Sequence, residues 1–125
     1  MVQLWILATR TERKYMSWVT DVLLTVSIQE RFDDDTNKFL KSCEALDSIN
    51  AWLKQGEHGK LDELSLHAKS GGKSMQCYVY GGAFNYMKVD EFVTLVLSQT
   101  WKQPESVMLL IKDENDEIFT VHQIT

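Results

Sequence analysis

The sequence predicts an α+β fold, a single domain with a mainly antiparallel sheet packed against helices, and three observations predict it. The strand-like segments come in pairs joined by turn residues, helical stripes separate those pairs, and no linker, repeat or low-complexity stretch divides the 125 residues. A chain of this length buries roughly two-thirds of its unfolded surface, enough for one core. With 44% apolar residues, 25% charged residues and one proline, Pro104, its composition is that of an ordinary globular domain. The expected order is β-α-α-β-β-α-β-β over residues 1–125.

Residues 2–9 are almost all apolar, with β-branched and aromatic members, which fits a strand buried on both faces. From Glu12 onward Tyr15, Trp18, Val19, Val22, Leu23 and Val26 recur at helical spacing, which predicts the first helix. Residues 23–28 are rich in β-branched side chains, so a strand beginning there is the alternative. After the polar break at residues 33–37, Phe39, Cys43, Leu46, Ile49 and Leu53 mark one face of a second helix. It starts as late as Ser42 if that hydroxyl caps it, and Gly56 suits its exit.

Residues 63–69 and 74–80 alternate on either side of Gly71 and Gly72, the composition of a tight hairpin turn. Pairing Ser70 with Lys73 sets Leu66 opposite Cys77 and Leu64 opposite Val79, and those four are assigned to the core face. Glu63, Ser65, His67, Gln76, Tyr78 and Tyr80 then share the other face, which predicts a sensitive Leu66 and a silent Ser65. Beyond Gly81 and Gly82, the spacing of Val89, Phe92, Val93, Val96 and Leu97 predicts a third helix closing near Trp101. Residues 106–112 and 117–124 read as a second hairpin around the acidic turn at 113–116.

Charge narrows the function classes. Thirteen Lys and Arg against eighteen Asp and Glu give a formal charge of -5, which disfavours phosphate backbones and anionic lipid and suits a basic protein partner. The same modest charge also serves plain solubility. Cys43 and Cys77 stand far apart without a CxxC, so both are expected as free thiols. The apolar run at residues 2–8 is too short for a membrane span and has no basic segment before it, so a cytoplasmic location is expected.

No motif specifies a chemistry. The Ser70-Gly-Gly-Lys-Ser74 run imitates the end of a phosphate-binding loop, but His67 stands where the first glycine belongs and a strand follows instead of a helix. Asp33, Asp34 and Asp35, and the Asp113, Asn115, Glu117 series, concentrate carboxylates. The second has Ile118 where a calcium loop needs glycine, and solvated turns are the simpler reading. His58, His67 and His122 show no zinc spacing. Neither a cofactor, a metal site nor a catalytic set is expected. Tyr78 and Tyr80 are either exposed aromatic anchors or a core layer covered by the third helix. Trp5, Trp18, Trp52 and Trp101 each fit a core position.

In size, acidity and lack of catalytic residues, the whole chain resembles the small cytosolic immunity proteins of bacterial contact-dependent (polymorphic) toxin systems. The resemblance implies a stoichiometric protein-binding module that neutralises a toxin domain, often a basic nuclease, through an acidic or aromatic face. It carries over no individual residue. The candidate contacts are Asp33, Asp34, Asp35, Glu63, His67, Tyr78, Tyr80, Asp113, Glu114, Asp116 and Glu117. One rival reading is a small enzyme or ligand-binding domain with a site assembled around His67 and Glu63. Another is an accessory subunit that forms homo-oligomers.

Overall fold

The computed structural model describes residues 18–68 and 70–124, and within them the fold is α+β. A five-stranded antiparallel sheet has the order β4-β5-β1-β6-β7, made of β1 (Val19–Ser27), β4 (Asp62–Glu63), β5 (Cys77–Asn85), β6 (Met108–Asp113) and β7 (Thr120–Gln123). Two short strands, β2 (Phe32–Asp33) and β3 (Lys38–Phe39), form a separate hairpin. Helices α1 (Glu44–Gln55) and α2 (Val89–Leu97) pack on one face of the sheet.

The strand expected over residues 2–9 and the start of the helix expected from Glu12 lie outside the described residues. Residues 19–27 are strand, not helix. Val19, Val22, Leu23 and Val26 satisfy the helical period, but Val22, Leu24 and Val26 satisfy the period of two equally well, and it is these three that are buried. The β-branched Val19, Thr20, Val22, Thr25 and Val26 favour the pleated form, and pairing on both sides makes β1 the centre of the sheet.

Two layers of side chains make the core. Val22, Leu24, Val26, Tyr80, Phe84, Leu109 and Ile111 point from the sheet towards Ala45, Leu46, Ile49 and Leu53 of α1 and Phe92 and Val96 of α2. Cys43 occupies the N-cap position of α1 and makes no side-chain cap, while the Ser42 hydroxyl turns to Asp47 Oδ1 at 2.7 Å. Phe39, expected on this helix, sits instead in β3 and is exposed.

The first hairpin is corrected in two respects. Its register is the expected one, with Glu63 opposite Tyr80 and Leu64 N–H donating to Val79 O at 2.7 Å. The ladder then stops, because the Ser65 hydroxyl accepts the next amide, Val79 N–H, at 3.1 Å. Residues 65–67 and 70–72 wind into short 3-10 turns, with Gly71 and Gly72 at φ of +81° and +71°. The faces are reversed: Tyr80 is 6% exposed in the core, whereas Leu64 and Leu66 are 46% and 59% exposed. Both helices cover the tyrosine side, since Tyr80 stands opposite the buried Leu24 of β1. Ser65 is therefore the bonded residue of the pair and Leu66 the solvated one.

Burial pushes the Tyr80 phenol up to about 12, only partly offset by the hydrogen bond from Arg31. The unfolded phenol ionises near its ordinary value, so the folded state holds its proton more tightly and stability is lost as pH rises from about 10 towards 12. In an alkaline melting series Tyr80→Phe is expected to flatten that fall, as read by circular dichroism beside phenolate absorbance.

A candidate aromatic and acidic cleft

The end of the molecule where β1 begins holds two adjoining hollows, and a third of about 360 Å³ lies against the first hairpin, between Glu63, Ser65, Cys77 and Tyr78. Helix α1 closes there with Gly56 N–H bonded to Trp52 O at 3.2 Å and His58 N–H to Leu53 O at 2.8 Å, which turns Glu57 into the left-handed region at φ of 60°. The turn lays the His58 ring on Gly56, where a Cβ would meet its Cδ2 at 2.7 Å. His58 stacks on Trp52 at 6.2 Å between centroids and meets the edge of Phe84 at 6.1 Å. Trp52 in turn packs against the buried Phe92. A rigid aromatic wall results, anchored in the core.

Opposite this wall, the chain leaving β5 reverses at Tyr86, whose φ of 55° is uncommon for a bulky side chain. Its amide donates to Trp18 O at 3.0 Å, so the strained turn is tied to the start of β1, and the ring is left 41% exposed. Two hollows meet at Tyr86. One, of about 540 Å³, runs between Trp52, His58, Glu57 and Glu91; the other, of about 510 Å³, runs between Trp18, Met87, Asp90 and Asp113. Lys88 borders both and reaches Glu91 at 3.8 Å, so the four carboxylates outnumber the cation beside them. Exposed aromatic faces beside carboxylates suit a guanidinium or ammonium group, which gains from ring and charge together.

The sequence-predicted contacts divide by place. Asp113 lines one hollow and accepts the Thr20 hydroxyl through Oδ1, while Glu114 accepts Val19 N–H at 3.3 Å and Asp116 accepts Asp113 N–H at 3.1 Å. That turn therefore stands beside the cleft, with the exposed Glu117 following it. Asp33 closes β2 and Asp34 and Asp35 lie in the β2–β3 turn, which follows the opposite end of β1. Asp33 accepts the Thr36 hydroxyl at 2.7 Å, and that bond holds its carboxyl below the usual range.

Tyr80 is buried and Tyr78 half-buried, so the tyrosine pair is a core layer and not an exposed anchor. The Arg31 guanidinium sits 4.0 Å over the Tyr78 ring, donates to Glu63 Oε1 at 2.6 Å and to Tyr80 OH at 3.4 Å, and sends its Nε to Leu40 O at 2.7 Å. Glu63 is thereby spent on Arg31. His67 is exposed at the end of a 3-10 turn and makes no side-chain hydrogen bond to Glu63 or Ser65. Cys43 and Cys77 are free thiols, and burial raises the Cys43 thiol above its ordinary value.

Trp52, His58, Glu57, Tyr86, Asp90 and Glu91 were not singled out from sequence as binding residues. The signals present were faint: a His in a Gly-Glu-His-Gly exit and a tyrosine between a strand and a helix. Comparison with protein-family models, with curated proteins and with solved structures finds no match to this chain. Among the described residues, no helix is long and apolar enough to cross a membrane, and no three His, Cys, Asp or Glu side chains group as metal ligands.

Proposed function

We propose that the chain is a stoichiometric protein-binding module whose cleft at Tyr86 receives a basic segment of its partner. One observation carries this reading: the exposed Tyr86 ring stands on a strained turn between the Trp52–His58 wall and carboxylates from three separate segments. Strain of this kind persists only where the surroundings hold it, here through the bond from Tyr86 N–H to Trp18 O, which fixes the backbone that carries the ring. Carboxylates on the rim steer a positive surface in, while the aromatic walls set how long it stays. The resemblance to immunity proteins supplies the identity of the partner, a basic toxin domain of the nuclease kind, in the cytoplasm of the producing cell.

The test is a titration against the partner captured from the native host. Saturation near equimolar ratio supports the reading, and turnover by a small fraction of the protein contradicts it. Doubly neutralised Asp90→Asn, Glu91→Gln protein should associate more slowly and show a flatter salt dependence, with dissociation little changed. Asp34→Asn, at the opposite end of β1, should leave both rates as they are.

A further inference from the structure

A sheet edge presents a row of backbone N–H and C=O groups that pair with any strand laid against them, so edges are kept short, charged or interrupted. One edge of this sheet is built that way. Strand β4 is two residues long, both of them acidic, and the Ser65 hydroxyl closes the ladder beyond it. The opposite edge, β7, has none of these devices. Among the described residues its one strand partner is β6. Residues 118–124 hold no Asp, Glu, Lys, Arg, Pro or Gly, and Ile118, Phe119 and Val121 are 76%, 38% and 51% exposed. An uncharged edge rich in β-branched and aromatic residues is the kind that joins another strand.

We propose that β7 pairs with β7 of a second copy, antiparallel across a twofold axis at Val121, joining the two sheets into one. Every pairing in the sheet is antiparallel, and an antiparallel edge is complementary to itself under a twofold. An axis normal to the sheet keeps each face on its own side, so only residues of like face oppose one another. Val121 shares the outer face with Leu110, while Thr120 and His122 lie on the helix side beside Ile111 and Leu109. An axis at Val121 lies within the strand and sets apolar on apolar, with Thr120 opposite His122. Charge permits the joint. The acidic turn ends at Glu117, four residues from the axis, so the two copies of Glu117 stand about 26 Å apart, well beyond the Debye length at physiological salt. The same lack of carboxylates leaves nothing on β7 to select the basic segment assigned to the cleft. The two clefts point to opposite ends of the joined sheet and stay open.

The test is sedimentation equilibrium of the full chain across the micromolar range, where a small interface of this kind is read. A mass of two chains is expected. Val121→Lys should weaken association at least about tenfold, because each lysine meets its own copy, and should leave the melting temperature as it is at so exposed a position. A mass of one chain at every concentration, or a dimer indifferent to Val121→Lys, overturns the proposal. Val121→Cys gives an independent reading. Opposed Cα atoms ~4.5 to 5.5 Å apart allow a disulfide, so this chain should oxidise to a covalent dimer at least about tenfold faster than a Leu66→Cys chain of similar exposure. Equal rates contradict the twofold.

Discussion

Truncating Tyr80 to alanine is expected to destabilise the protein by about 4 kcal/mol in a denaturant melt, within the range for large buried aromatics. Leu66→Ala should stay within about 0.5 kcal/mol. Tyr80 is buried opposite Leu24, its ring 6.5 Å from that of Tyr78, and its hydroxyl takes a bond from Arg31. Losing it opens a cavity and takes one hydrogen-bond partner from a guanidinium that Glu63, Leu40 and the Tyr78 ring continue to hold. Leu66 is solvated in its 3-10 turn and leaves nothing behind. Equal costs for the two changes would mean that the helices cover the other face.

Replacing Glu30 with alanine should cost about 3 kcal/mol, and glutamine should recover only part of it. Glu30 is 4% exposed, and its two carboxylate oxygens accept Lys102 N–H at 3.0 Å and Gln103 N–H at 2.8 Å. Those bonds tie the loop after α2 to the turn after β1, where the Lys102 ammonium also caps Phe32 O. A buried carboxylate is tolerated because both oxygens meet donors; removing it strands two amides, whereas the glutamine amide offers one acceptor oxygen and a donor facing a donor. Hydrogen exchange at Lys102 and Gln103 should accelerate in both variants. Unchanged protection there would show that Glu30 does not hold the loop.

The sequence carried the architecture further than the site. Paired strands, α1 and α2 were legible because Leu46, Ile49 and Leu53, and then Phe92 and Val96, keep a helical period with no competing one. Residues 19–27 were ambiguous because their apolar positions fit both periods, and only pairing with β5 and β6 decides between them. The hairpin register was readable from Gly71 and Gly72, but inside and outside were not. Leucine is more apolar than tyrosine, and nothing local shows that Arg31, over thirty residues away, meets the tyrosine rings and the Glu63 carboxylate. The cleft was hidden for the same reason. Trp52, the Tyr86 to Asp90 stretch and Asp113 come from three separate segments, and only the β5–β1–β6 pairing brings the second and third to one end of the sheet.

The central claim is that partner affinity resides at Tyr86, and the most direct measurement is the dissociation constant of the Tyr86→Ala chain for its captured partner, beside the unaltered chain. An aromatic anchor of this exposure is expected to contribute about 2 kcal/mol, so the constant should rise roughly thirtyfold through faster dissociation, with melting temperature nearly unchanged. A constant within about twofold of the original, in a chain that still folds, would contradict the account and move the binding surface away from the cleft.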